Sequence, residues 1–322
     1  MEQTIFIVGV GRSGTSMLMT LLNGHSKIAF TPETHFLRFY VGSQEIQAEF
    51  EAKGVTKFKE IIDQDDYYKR LHIDSSELLA PYLKEKKVFD LRAIYKEILS
   101  TYLRRKDKTY IGDKDPRYID YLPIIKEIYP NAKIIHIYRD PRDIVLSKTK
   151  ADWSAHRPYW MNAIISQVQI KKGRKKIQEL FDGHFYELSY ESLVANPNES
   201  LTKLLAFLDL ELEKEMLDLR KSAEELVDKA EMQWKNNTFK PVMNANKEKW
   251  RKGLSTSQIR CTEIICKEWF KNLGYGYSKV KINFMEELFY QLIFAAQNLQ
   301  ELVYDRQLSK QMKKTLLEAE KN

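Results

Sequence analysis

Gly9, Gly11, Arg12 and Gly14 stand directly behind the apolar run Ile5–Val8, with Ser13, Thr15 and Ser16 between and after them. Glycines at this spacing let the backbone turn tightly, so that successive N–H groups and the positive end of the next helix face one anion. The pattern is that of a phosphate cradle. A nucleoside-triphosphatase loop would place a lysine after the last glycine, reaching the β- and γ-phosphates. Here that position holds Thr15, and the basic residue is Arg12, inside the loop. Arginine offers an oxyanion a planar fork of donors rather than a point charge. The loop therefore argues for an anion site and against ATP or GTP hydrolysis.

Other residues could do chemistry beside such a cradle. Glu33 lies in Thr31-Pro32-Glu33-Thr34-His35, just after the short apolar run Ile28–Phe30. In open parallel sheets ligands bind beyond the carboxyl ends of the strands, which brings Glu33 close to the loop. It reads either as a general base for an attacking hydroxyl or as a helix cap or salt-bridge partner of Arg38. Arg139 follows the apolar run that ends at Tyr138, and Asp140-Pro141 is a good N-cap and first helical residue. Arg139 and Ser147, two turns along that helix, could grip a second phosphate. The alternative is a structural network among Arg139, Asp140, Arg142 and Asp143.

The elements that must position these residues alternate between strand and helix. Strands are expected at Ile5–Val8, Ile28–Phe30, up to Tyr110-Ile111, at Lys133–Tyr138 and at Phe185–Leu188. Asp113 to Arg117 reads as a loop, and helices are expected at Tyr118–Ile128, Tyr159–Lys176, Pro197–Leu208, Glu211–Ala230 and Ser255–Leu273, the last closed by Gly274. This predicts an α/β fold with a P-loop-like open parallel sheet flanked by helices, occupying residues 1–280. A helical insertion over about 41–108 would shape an acceptor pocket, and 281–322 would form a C-terminal helical extension. Residues 234–249 are irregular and basic, suited to a lid over a bound anion. In the extension, Met285, Leu288, Leu292, Ala295, Leu299 and Leu302 alternate spacings of three and four. Docking of this seam on the same chain is the first reading, self-association through 284–305 the second, and a membrane surface the third.

The 322 residues, 43% of them hydrophobic, are enough for a core, and the net charge of +7 fits an anionic ligand without choosing one. Lys171, Lys172, Arg174, Lys175 and Lys176 read as a solvated helix face, and no nucleic-acid platform is evident. Cys261 and Cys266 make neither a disulfide framework nor a metal set, and no signal peptide or spanning segment is apparent. A cytoplasmic protein is expected, one that would meet a membrane only from the side.

Four ordered segments then carry a resemblance. They are GVGRSGTS, TPETHF, the stretch from Gly112 to Ser147 with GDKDPR and YRDPRDIVLS, and FYELSYESLVANPNESLTKLLAFL. Together the chain resembles the sulfotransferases that use 3′-phosphoadenosine 5′-phosphosulfate (PAPS), most closely the branch with the protein-tyrosine sulfotransferases and their bacterial relatives. The resemblance implies that Gly11, Arg12, Ser13, Gly14, Thr15 and Ser16 hold the 5′-phosphosulfate, and that Arg139 and Ser147 hold the 3′-phosphate. Tyr190 would lie near the adenosine, Lys114 near the leaving phosphate, and Glu33 would be the base. It also places a basic residue of the 247–252 segment on the cofactor, assigned here to Lys249. No metal is expected, and the acceptor would be a hydroxyl on a carbohydrate, lipid, phenol or peptide. The proline that often precedes the loop arginine is absent. Two other readings stand beside this one: a small-molecule kinase on the same architecture, and a non-catalytic nucleotide-binding relative.

Overall fold

Ile5, Phe6, Ile7 and Val8 are fully buried because β1 (Gln3–Val8) runs through the middle of a sheet. The computed structural model describes residues 3–84, 88–226, 247–296, 301–304 and 306. The other strands are β2 (Ile28–Phe30), β3 (Tyr110–Lys114), β4 (Lys133–Tyr138) and β5 (Phe185–Ser189). They lie in the order β2-β3-β1-β4-β5, and every neighbouring pair is parallel. Ile7 pairs with Lys114 on one side and Ile135 on the other. All the strands therefore end at one edge, and the residues just past those ends, Gly9–Gly14, Thr31–His35, Asp115 and Arg139, share it.

The period of two along β1 separates two cores. Phe6 and Val8 face a cluster with Phe36, Tyr95, Tyr118 and Phe58. Ile5 and Ile7 face another with Leu18, Leu21, Leu204 and Leu205. On the first face pack the helices α2 (Gln44–Gln64), α3 (Ser75–Leu83), α4 (Leu91–Lys106) and α5 (Leu122–Ile128). Ser43, Asp74 and Asp90 cap the first three with side-chain oxygens, and Gly54 kinks α2 with φ 80°. The second face is covered by α1 (Thr15–Asn23), α8 (Tyr190–Ala195), α9 (Pro197–Phe207) and α10 (Leu219–Leu226). A third cluster joins α6 (Pro141–Lys148) and α7 (Tyr159–Leu180) to α11 (Thr256–Ile265), α12 (Lys267–Leu273) and α13 (Phe284–Ala295).

Several expected boundaries move. β3 continues through Lys114 rather than giving way to a loop at Asp113, because the parallel ladder to β1 extends to Lys114. The helix expected over Tyr118–Ile128 is a 3₁₀ turn at Pro116–Asp120 followed by α5, with Tyr121 between them. Ser255–Leu273 breaks at Cys266, and Glu211–Ala230 becomes helical only at Leu219 after a 3₁₀ turn at Lys214–Leu217. Gly274 ends α12 with φ 72°, as its position predicts. The extension does dock on its own chain, but through Tyr290, Ile293 and Phe294 rather than the predicted seam. Met285, Leu288 and Leu292 face outward, while Leu299 lies outside the described residues. So does most of the segment expected to form a lid, of which only 247–249 are described.

Candidate functional site

The helix α1 begins at Thr15, and its N-cap is Gly14 at φ 96° with no side-chain cap. The first amides of α1 are thus left to an external acceptor. A Cβ on Gly14 would lie 2.4 Å from the Tyr190 ring, so the glycine is what lets that ring close over the loop. Arg12 also adopts a left-handed backbone, φ 78°, which turns its side chain toward α6. Its Nε donates to Ser147 Oγ at 2.8 Å. Arg139 donates through Nη1 to the Arg12 carbonyl at 3.3 Å and lies 4.3 Å above the Tyr190 ring.

Two guanidiniums therefore share a small space. Burial and the Arg139 charge both push the Arg12 pKa down from its ordinary value. Asp143, one turn along α6, sits 3.5 Å from Arg139 and accepts the amides of Glu248 and Trp250, each at 2.9 Å. Burial raises its pKa, and the Arg139 charge opposes that rise. Asp143 answers the Arg139 charge, and among the described residues no carboxylate pairs with Arg12, whose Nε meets the neutral Ser147. Ser13 Oγ, fully buried in the same loop, has no hydrogen-bond partner among the described residues. An orphaned hydroxyl, open helix amides and paired guanidiniums together fit a phosphate- or sulfate-bearing ligand.

A second group faces the cradle from β2 and β3. Lys114 is fully buried and forms an ion pair with Glu33. Its Nζ also donates to Ser16 Oγ at 3.1 Å, and that hydroxyl lies 3.4 Å from Glu33 Oε1. Ser16, on the first turn of α1, thus connects the cradle to the carboxylate. Behind them, the buried Asp113 accepts from Tyr95 (2.6 Å), Tyr118 (2.7 Å), Thr31 (3.0 Å) and the Lys114 amide (2.7 Å). Burial pushes the Asp113 carboxyl up, and these four donors hold it back. Asp115 accepts from His35 Nδ1 at 2.7 Å, within ion-pair reach, and pairs with Arg38 at 3.3 Å. Burial alone would raise the Asp115 pKa, but Arg38 and His35 outweigh it and hold the carboxyl well below the usual range. Arg38 therefore belongs to Asp115, and the Glu33–Arg38 pair entertained from the sequence does not form.

Of the residues singled out from the sequence, Gly11–Ser16, Arg139, Ser147 and Tyr190 come together on one side of the α1 N-terminus, and Glu33 and Lys114 on the other. Lys249 is exposed at the start of the single turn Trp250–Gly253. Among the described residues no hydrogen bond joins its side chain to Ser147. Of the structural network proposed as an alternative, Arg142 does pair with Asp140 at 2.7 Å, and also with Glu263 at 2.8 Å. The sequence does not mark Asp113, whose partners Tyr95 and Thr31 are distant along the chain, and Asp143 pairs with Arg139 as the structural alternative has it while also accepting the distant amides of Glu248 and Trp250. Trp153 was missed too, and a Cβ on Gly11 would meet its ring at 3.6 Å.

With this geometry in view, the chain matches the model of the Sulfotransferase family over residues 4–214. The chain belongs to the sulfotransferase family. Among its sulfotransferase-family relatives, a Caenorhabditis briggsae protein whose name assigns it as a protein-tyrosine sulfotransferase is 24% identical over 304 residues, covering 90% of this chain and 96% of its own length. A protein of Aquifex aeolicus with no assigned activity is 26% identical over 275 residues, 80% of this chain but only 30% of that protein's length. The solved sulfotransferase domain of the curacin biosynthetic pathway superposes with a TM-score of 0.60 at 18% identity, covering 86% of this chain and 99% of that one. The fold is therefore the P-loop-like α/β fold expected from the sequence. No helix among the described residues is long and apolar enough to cross a membrane.

Proposed function

We propose that this chain transfers the sulfuryl group of PAPS to an acceptor hydroxyl. The observation that supports this reading is the pairing of two anion-seeking groups around one helix N-terminus. Arg12, Arg139 and Ser147 lie on one side, and the Lys114–Glu33 pair lies on the other, joined through Ser16. The donor brings an activated sulfuryl group on its 5′-phosphate. Gly11–Ser16 would receive that end, Arg139 and Ser147 would receive the 3′-phosphate, and Tyr190, beneath the Arg139 guanidinium, would lie near the adenosine. Lys249, beside the amides that Asp143 holds, is the basic residue assigned to the cofactor from the segment after the undescribed stretch.

In the resting site Lys114 neutralises Glu33. An arriving phosphate competes for the ammonium, which frees the carboxylate to accept the acceptor's proton. The acceptor oxygen then bonds to sulfur as the bridging sulfur–oxygen bond breaks. Arg12 and Lys114 stabilise the charge that grows on the leaving phosphate, the role magnesium has in a kinase. In this reading residues 1–280 form the catalytic unit, helices within 41–108 shape the acceptor site, and 281–322 extend it. The relative named for protein-tyrosine sulfation suggests a phenol hydroxyl as the first acceptor to try.

The test is transfer of labelled sulfate from PAPS to a panel of tyrosyl peptides, simple phenols, lipid alcohols and glycans, read by mass spectrometry. It is paired with thermal shifts in adenosine 3′,5′-bisphosphate and in ATP with magnesium. Stabilisation by ATP with magnesium alone would overturn the reading in favour of a kinase. Tight bisphosphate binding with no transfer to any acceptor class would favour a non-catalytic relative.

A further inference from the structure

The helix α13 is apolar on its outward face as well as on its docked one. At 100° per residue, Phe284, Met285, Leu288, Phe289, Leu292 and Ala295 fall within an arc of about 140°. That is the exposed arc: Phe284 is 77% exposed, Met285 70% and Leu292 61%. The charged residues of the helix lie on the opposite side and are spoken for. Glu287 pairs with Arg260, and Glu286 accepts from Ser257 at 3.2 Å and from Asn283 at 2.9 Å. Tyr290, on the docked side, meets the hydroxyls of Ser257 and Tyr159. The docked side already holds α13 against α11 and its neighbours, so the outward apolar stripe adds nothing to the fold. Six apolar side chains side by side on a surface mark an interaction site.

The charges around the stripe choose its occupant. Lys279 and Lys281 are exposed on the segment leading into α13, while Lys267 on α12 lies over the docked Phe294 ring at 5.8 Å. Among the described residues the nearby acids have partners: Glu268 lies 3.6 Å and Glu301 3.8 Å from Lys171, Glu287 pairs with Arg260, and Glu286 accepts from Ser257. An apolar helix face preceded by two exposed lysines is the pattern of a helix lying in the plane of an anionic bilayer. A second copy fits less well. A helix of 12 residues is about 18 Å long, and its stripe alone falls short of the roughly 800 Å² per partner that a stable interface buries. We propose that the outward face of α13, with Lys279 and Lys281, seats this protein on an anionic lipid surface.

The test is flotation of the full chain with vesicles of phosphatidylcholine containing 30 mol% phosphatidylglycerol, a composition chosen to supply the roughly −30 mV surface of an anionic leaflet, and with pure phosphatidylcholine. Light scattering on a sizing column runs alongside. The wild type is expected to float with the anionic vesicles, and to do so less at high salt. The variant Phe284→Ser/Met285→Gln/Leu292→Gln should partition at least tenfold less. Lys279→Gln/Lys281→Gln should lose several-fold on anionic vesicles and show no change on neutral ones. All these positions are exposed, and unchanged melting temperatures would show the variants folded. Failure of the wild type to float, or equal flotation by the apolar variant, overturns the proposal. So does a wild-type dimer that the apolar variant dissolves, which would make the stripe a contact between copies.

Discussion

Arg12 Nε donates to Ser147 Oγ at 2.8 Å, so the loop after β1 and the helix after β4 are tied by one hydrogen bond at the mouth of the sheet. Ser147 then does two things in the proposed site: it orients the loop arginine and it offers a hydroxyl to the 3′-phosphate. Ser147→Ala should weaken binding of adenosine 3′,5′-bisphosphate about tenfold, the scale of one hydrogen bond to a charged group. Binding of adenosine 5′-phosphate should change far less. Calorimetric titration with both nucleotides checks this, and an equal loss for both would remove Ser147 from the 3′-phosphate.

Lys114 and Glu33 are a buried ion pair, and breaking one partner differs from removing both. Lys114→Met leaves Glu33 buried without its cation, which should cost about 3 kcal/mol in urea unfolding. Lys114→Met/Glu33→Gln should recover most of that stability. Neither should recover activity: each loses at least about 10²-fold in turnover, the scale for removing one preorganised charge or a general base. A double variant no more stable than Lys114→Met would show that the two side chains are not coupled.

Gly14 combines a left-handed backbone with a Tyr190 ring where a Cβ would be. Gly14→Ala should destabilise by about 2 to 4 kcal/mol, part from the overpacked ring and part from the backbone. Adding Tyr190→Leu should return the first part only. Thermal unfolding of Gly14→Ala, Tyr190→Leu and the double variant separates the two, and a double variant as stable as Tyr190→Leu alone would mean that the backbone carries no strain.

The sequence exposes the cradle, the sheet order's raw material and the α6 start because each is local: glycine spacing, an apolar run, a cap followed by proline. The carboxyl end of β3 is not legible in the same way. Gly112, Asp113 and Lys114 have no β-branched or aromatic side chain to mark a strand. They are stable there because Tyr95, Tyr118, Thr31, Glu33 and Ser16 satisfy them from distant parts of the chain. The pairing of Arg38 with Asp115 instead of Glu33 is hidden for the same reason. In α13 the limit is different. Phe284, Met285, Leu288, Phe289, Tyr290, Leu292, Ile293 and Phe294 make the helix apolar nearly all round, so periodicity alone does not say which face docks. The hydroxyl of Tyr290 and the inward ion pair of Glu287 decide it.

Lys148 follows Ser147 on α6 and is buried, its Nζ donating to Ser166 Oγ at 2.7 Å. Burial first, then the Arg117 and Arg157 charges, push its amine down to about 7, while Cys266 and Asp120 act weakly the other way. In the unfolded chain the same amine titrates near 10.4. Between these values the unfolded state holds a proton that the folded state has released, so stability rises with pH across that window. Below about pH 7 the folded protein must bury the charged form, and the full penalty is present. From pH 6.5 to 8.5 this one group should add about 2 kcal/mol of stability. Lys148→Met has no proton to release and should lose that slope, so the wild type gains on the variant as pH rises. Urea unfolding of both proteins at the two pH values measures the difference, and parallel changes would mean that the amine stays charged inside the fold.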